Sequence, residues 1–396
     1  MNILDFMQNH ILLLDGGMGT LLQAEGLAPG EAPERWNLSH PESVTAIHKA
    51  YFDAGSNVVN TNTFGANPLR FADAELEEIV SAAIANARRA AAESEGAQPK
   101  WVALDIGPSG RMLRPYGDLP FEEAVKAFAK VISLGVKYGA DLVCIETMGD
   151  SYETKAALLA AKENCNLPIF VSNAFGADGK LMTGADAHAM VALLEGMGAD
   201  AIGINCSLGP AEVRPIVEDY LAYASVPVLL KPNAGLPRVE NGKTVYDLSA
   251  ADFASEMEAL LRKGVRVAGG CCGTTPAYIA ALAARAAKVE PKPIIEKNET
   301  VVSSYTHAVT FGARPLLIGE RINPTGKKRL KEALRAGDID YILREGIAEE
   351  EQGAHILDVN VGLPEIDETA MLTRAVTELQ AVTALPLQIE IGRAHV

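Results

Sequence analysis

The stretch AIGINCSLG, residues 201–209, is apolar for four residues and then turns polar at Asn205 and Cys206. It does not alternate apolar with polar, so it is not a strand with one wet face. A short unbroken apolar run closed by a polar turn has the texture of a strand covered on both sides, as in parallel sheets flanked by helices. The same texture recurs in ILLLDGG (11–17), NVVNTNTF (57–64), WVALDIGPSG (101–110), DLVCIETM (141–148), PIFVSNAF (168–175), PVLLKPNAG (227–235) and VRVAGGCCG (265–273). Ala-rich stretches of helical periodicity separate these runs, as at Glu75–Glu93 and Phe121–Tyr138. Eight strands each followed by a helix predict an α/β chain with a (β/α)8 TIM barrel over residues 1–290, a fold that takes about 250 residues. An open doubly wound sheet is the competing arrangement. The glycines of DGGMGT lack the G-x-G-x-x-G spacing of its dinucleotide-binding form.

Every run ends in polar or glycine-bearing residues: Asp15, Asn60 to Asn62, Asp105, Glu146, Asn173, Asn205, Asn233 and Gly269 to Cys272. A barrel gathers these C-terminal strand ends at one mouth, where its chemistry is placed. Cys206 closes the sixth run, and Cys271 and Cys272 close the eighth. Structural zinc takes four protein ligands, whereas catalytic zinc takes three and keeps an open position. Three thiols at one mouth therefore match a catalytic site. The glycines of GGCCG let the backbone turn sharply, so that adjacent side chains can face one ion. Burial of the cysteines as small apolar residues is the plainer reading, and a vicinal disulfide a strained one. Zinc among thiolates deprotonates a further thiol outright, where a free thiol is mostly protonated at neutral pH. The natural reaction of such a site is alkyl transfer to a substrate thiol.

Composition narrows the field. With 35 basic against 51 acidic residues the net charge is −16, which argues against nucleic acid or an anionic membrane surface as partner. No apolar run approaches the roughly 18 residues of a membrane span. The start, MNILDFMQNH, lacks a basic region followed by an apolar core, and a cytoplasmic location is the default expectation. Five cysteines in a reducing compartment are not a disulfide framework. Cys144 and Cys165 read as packing residues, as do Trp36 and Trp101, and His48 and His188 as helix residues facing core or solvent.

The motifs LLLDGGMGT, NTNTFGAN, GINCSLGP and GGCCGTTP, in this order, resemble the homocysteine S-methyltransferase family over residues 1–290. The resemblance implies a zinc-bearing barrel that methylates homocysteine to methionine, with Cys206, Cys271 and Cys272 as catalytic zinc ligands. It implies Asp15 and Glu146 as holders of the substrate ammonium. Backbone amides around Gly16 and Gly17 would meet the carboxylate, and Asn205 would orient the mouth. Against these stand plain alternatives: a turn for Asp15, a helix-cap partner for Glu146, and turn or supporting roles for Asn62 and Asn173.

From about Lys288 to Arg314 prolines, charges and Ser/Thr predict a linker, assigned to 291–314. A second α/β pattern follows at 315–389: a strand in PLLIGERINPTG, a charged helix from Lys328 to Gly353, a strand in AHILDVNVG, a helix from Glu368 to Thr383, and LPLQI. IGERINPTGKK and GAHILDVNVG resemble the pterin-binding domain of cobalamin-dependent methionine synthases, which implies an incomplete second barrel. By that resemblance Asn323, Asp358 and Asn360 would bind the pterin edge, with Glu320 and Arg321 as structural partners. Methyltetrahydrofolate would be the methyl source, and methylcobalamin would ride on a module outside this chain. Betaine or S-methylmethionine donors, fusion to a folate reductase, and a non-enzymatic zinc or thiol-sensing module are the other readings. The last residues, EIGRAHV (390–396), read as a non-native tail.

Overall fold

Eight parallel strands form one sheet whose order follows a closed circuit. They are β1 (Leu12–Leu13), β2 (Val58–Asn60), β3 (Trp101–Ile106), β4 (Leu142–Met148), β5 (Ile169–Asn173), β6 (Ala201–Asn205), β7 (Val228–Lys231) and, after a short hairpin β8 (Arg238–Glu240) and β9 (Lys243–Val245), β10 (Val267–Ala268). Each of β2 to β6 pairs with the next, β7 pairs with β10, and β10 pairs with β1. Between β1 and β2 the ring is joined by hydrogen bonds that include Asn57 N–H to the Leu13 carbonyl at 2.7 Å, Leu13 N–H to Asn57 Oδ1 at 3.0 Å and Ser56 Oγ to the Leu14 carbonyl at 3.2 Å. The TIM barrel read from the sequence is this nearly closed ring. The computed structural model describes residues 2–240, 243–312 and 314–390. The suspected tail lies outside them except for Glu390.

The strands are short and buried on both faces, as their unbroken apolar texture requires. Leu12, Leu14, Val58, Ala103, Leu142, Cys144, Phe170, Ala201, Leu229 and Val267 fill the barrel, and Ile3 and Met7 close its lower end. Each such side chain contributes about 1.5–3 kcal/mol by leaving water. The plugging helix, Ile3–Asn9, starts on an Asn2 cap whose Oδ1 accepts the Leu4 amide. Its last turn is fixed by the buried Arg266, which donates to the Met7 and Gln8 carbonyls and to Lys292 O. A cation on helix-end carbonyls is the favourable polarity.

The chain divides into two compact units, one of residues 1–183 with 193–297, the other of 184–192 with 298–396. The stretch read as linker contains an antiparallel hairpin, β11 (Thr300–Ser303) and β12 (Ala308–Phe311). A three-stranded parallel sheet follows: β13 (Ile318–Ile322), β14 (Ile356–Val359) and β15 (Leu387–Ile389). The single helix expected over 328–353 is two, Lys328–Ala336 and Ile339–Glu351. Gly337 takes a left-handed conformation that ends the first, and Asp338 caps the second by accepting the Tyr341 amide. The next helix runs Glu368–Leu379, shorter than expected. Ile322, Leu330, Leu334, Ile342, Val359 and Leu379 form the core of this unit. Among the described residues no helix is long and apolar enough to cross a membrane.

Candidate active site

At the mouth of the barrel lies a cavity of about 370 Å³. Its wall includes Asp15, Gly16, Gly17, Asn60, Asp105, Glu146, Lys231 and the three cysteines of β6 and β10. The strand-end residues of distant sequence segments thus share one space.

The thiols form one corner. The Sγ atoms of Cys206, Cys271 and Cys272 all lie within 4.8 Å of one another, and Cys206 Sγ is 3.9 Å from Cys272 Sγ. Among the described residues this is the one group of His, Cys, Asp or Glu side chains so arranged for a metal. Cys206 and Ser207 have φ of 58° and 57°, left-handed values that cost energy for residues with a side chain. Hydrogen bonds from the Cys206 and Cys271 thiols pull the Cys272 thiol far below its ordinary range. The same sharing pushes Cys271 up. Cys206 is pushed up as well, so without an ion the cluster favours one thiolate, at Cys272, held by two thiols.

The segment after β7 ties both cysteine loops together. The Lys231 carbonyl accepts the Cys206 amide at 3.0 Å, the Pro232 carbonyl accepts the Cys271 amide at 2.9 Å, and Asn233 Oδ1 accepts the Cys272 amide at 3.1 Å. Close approach explains the glycines. A Cβ on Gly17 would stand 2.8 Å from the Cys271 carbonyl oxygen, and one on Gly270 2.3 Å from Thr274 Oγ1. The Gly17 amide is already committed to Thr274, 3.2 Å from both O and Oγ1. Asn205 is fully buried beside the cluster. Its Oδ1 accepts from the Thr147 amide at 2.7 Å and from Ser172 Oγ at 2.8 Å, and its Nδ2 points to Cys271 Sγ at 3.9 Å.

The carboxylates form the other corner, and it holds a residue the sequence reading passed over. Lys231 ends β7 with its side chain 3% exposed. Its Nζ is 2.8 Å from Glu146 Oε2 and 3.5 Å from Asp15 Oδ1. Burial works against its charge, but Glu146 and Asp15 outweigh that and hold its pKa well above the ordinary value. Burial lifts the Asp15 pKa to about 6 even though Lys231 opposes the shift. Burial, then the Glu146 charge, lifts Asp105 well above the carboxylate range. Asn60 spans the corner, donating its amide to Asp15 Oδ2 at 2.8 Å and its Nδ2 to Glu146 Oε2 at 3.1 Å. The available signal was a lysine inside the apolar run PVLLKP, where a charge needs a partner.

The remaining sequence candidates fall where their plainer readings put them. Asn62 Nδ2 bonds the Pro33 carbonyl, and Asn173 Nδ2 bonds the Met148 carbonyl and Thr154 Oγ1. His48 is fully buried, and burial drops its pKa to about 3. Cys144 is core, Cys165 bonds the Ala161 carbonyl, and Trp36 is buried. In the second unit Asn323, Asp358 and Asn360 sit at the ends of the paired strands β13 and β14. Asp358 Oδ1 accepts Gln388 Nε2 at 2.9 Å, and burial raises its pKa. Asn360 Oδ1 accepts the Gly362 amide and Asn323 Oδ1 the Thr325 amide. Glu320 pairs with Lys327, and Arg321 with Glu345.

Against known proteins, the pattern of the family described as homocysteine S-methyltransferase matches residues 12–286, the whole ring of strands. The chain belongs to the homocysteine S-methyltransferase family. A solved homocysteine methyltransferase of Escherichia coli in its metallated form shares 26% identity and a TM-score of 0.59, covering 69% of this chain and 96% of its own. The oxidized form of that protein gives 27% and 0.60 over the same shares. The methionine synthases of Mycobacterium tuberculosis and Mycobacterium leprae are 31% and 30% identical over 98% of this chain. The chain spans about a third of the length of these two relatives.

Proposed function

We propose that the barrel binds homocysteine through its sulfur on a zinc ion held by Cys206, Cys271 and Cys272 and methylates that sulfur to give methionine. The observation that carries this is the pairing, in one cavity, of a three-thiol corner with a carboxylate corner. The donor set fits zinc: soft sulfurs, mutually within 4.8 Å, one of them held toward the thiolate by its neighbours. Zinc so bound would keep the substrate sulfur deprotonated, and the thiolate-rich surroundings would keep it nucleophilic. The protein's own residues do the rest. Asp15 receives the ammonium beside Glu146, which is already paired with Lys231, and with the Gly17 amide committed, Gly16 lines the path of the carboxylate. Asn205, locked to Thr147 and Ser172, fixes the loop that carries Cys206. In the transfer itself the sulfur forms a bond to the methyl carbon as the donor's bond to that carbon breaks.

For the donor, the reading is methylcobalamin recharged from methyltetrahydrofolate, with cobalamin on a module outside residues 1–396. Residues 1–290 then act as the homocysteine barrel, 291–314 as a connection, and 315–389 as the start of a pterin-binding barrel. Asn323, Asp358 and Asn360 gather at adjacent strand ends and offer the donors and acceptors that a pterin edge needs. Likeness to two methionine synthases over 98% of the chain supports it. The test is purified protein with homocysteine and free methylcobalamin. Zinc-dependent methionine formation is expected. Equal homocysteine binding by metal-free and zinc-loaded protein would overturn the zinc role.

A further inference from the structure

Two buried acceptors in the carboxylate corner lack a hydrogen-bond donor: Asp15 Oδ1 and Asn60 Oδ1. Both residues line the cavity. Lys231 Nζ is 3.5 Å from Asp15 Oδ1, too long for a full hydrogen bond, and its close partner is Glu146 Oε2 at 2.8 Å. An empty buried acceptor is costly, so the corner is built for one more donor. A lysine already neutralises one of the two carboxylates the reaction is expected to use.

We propose that Lys231 is a specificity-determining residue of this site: by occupying Glu146 it leaves room and charge for a single substrate ammonium, at Asp15 Oδ1 and Asn60 Oδ1. This rests on the homocysteine reading above. Asp15, Glu146 and Lys231 together carry one net negative charge, and one incoming ammonium balances it. The site therefore accepts a zwitterionic amino-acid thiol, whose carboxylate would be repelled by a doubly negative cup. Lys231 acts through Glu146 and through the field it sets, and its main chain separately holds Cys206. Changing the side chain alone leaves that main-chain bond available.

The experiment uses the zinc-loaded full chain and three thiols: homocysteine, 3-aminopropane-1-thiol, which lacks the carboxylate, and 4-mercaptobutanoate, which lacks the ammonium. Their dissociation constants are measured by calorimetry for wild type, Lys231→Met, Lys231→Arg and the double variant Lys231→Met with Glu146→Gln. In Lys231→Met the preference for the aminothiol over the mercapto acid rises about tenfold, the effect of one uncompensated nearby charge. The arginine variant keeps the wild-type ratio. The double variant, which restores the net charge, returns toward it even if Lys231→Met itself folds poorly, because it removes the ion pair whole. A merely structural role would weaken all ligands and leave the ratio alone. An unchanged ratio in the methionine variant overturns the proposal, and so does a double variant whose ratio departs from wild type by as much as about tenfold. If wild type binds none of the thiols, the homocysteine reading itself falls.

Discussion

The two corners of the cavity reach their chemistry by opposite routes. The thiol corner is made by backbone: left-handed residues at Cys206 and Ser207, bare Cα atoms at Gly17 and Gly270, and main-chain bonds from the segment after β7. The carboxylate corner is made mainly by side chains at strand ends, Asp15, Glu146 and Lys231, bridged by Asn60, with one left-handed residue, Thr147, next to Glu146. The thiols face one another, their sulfurs within 4.8 Å, and on the proposed reading an ion joins them. The carboxylates are largely satisfied by the donors Lys231 and Asn60 and keep only a small deficit. On the proposed reading, a metal corner must be rigid and incomplete, whereas an ammonium corner must be nearly neutral and nearly complete.

The largest effect should come from breaking the thiol corner. Cys271→Ser leaves two thiols and a poorer donor, and zinc content after dialysis is expected to fall to background, with homocysteine binding lost alongside. Retained stoichiometric zinc would remove Cys271 from the ligand set. Next is Glu146→Gln, which strands the buried Lys231. Breaking a buried pair from one side costs about 3–5 kcal/mol, and chemical denaturation should show a loss of that order. The double change with Lys231→Met should recover much of it.

Asn205→Ala touches the thiol corner from behind, and a residue that orients metal ligands is worth about 10–100-fold in metal affinity. Competition with a chelator measures it, and stability should move less than in Glu146→Gln. The gentlest probe is pH. Asp15 must be ionised to receive an ammonium, and its pKa is raised to about 6. Homocysteine affinity should therefore fall as pH drops below about 6, by up to tenfold per unit. The sign for the free protein is opposite. A carboxyl whose folded pKa is raised favours folding below its unfolded value, and that advantage is lost as pH rises through the folded one. Asp15→Asn should flatten the binding profile, and a profile unchanged by that substitution would dismiss Asp15 as its source.

Legibility followed the same division. The strands could be read because burial on both faces leaves an unbroken apolar run, and the barrel because eight such runs alternate with helices. The cysteines could be read because paired thiols between glycines are chemically conspicuous. The break at Gly337 went unread because the charge pattern runs through it, although a glycine followed by Asp338 is a stop and a start. The hairpin β11–β12 was hidden in a stretch whose prolines and charges read as linker.

What the sequence determined by itself was local: periodicity set the elements, and residue type marked Asp15, Glu146, Asn205 and the three cysteines as chemistry placed at strand ends. Only the tertiary structure decided who meets whom. It turned Lys231 from one residue of an apolar strand into the counter-ion of Glu146, and it spent the Gly17 amide on Thr274. It also seated both cysteine loops on the segment that follows β7. The reason is closure. A parallel ring brings residues far apart in the chain within a few ångströms of each other, and charge and hydrogen bonding act over that distance, not along the sequence.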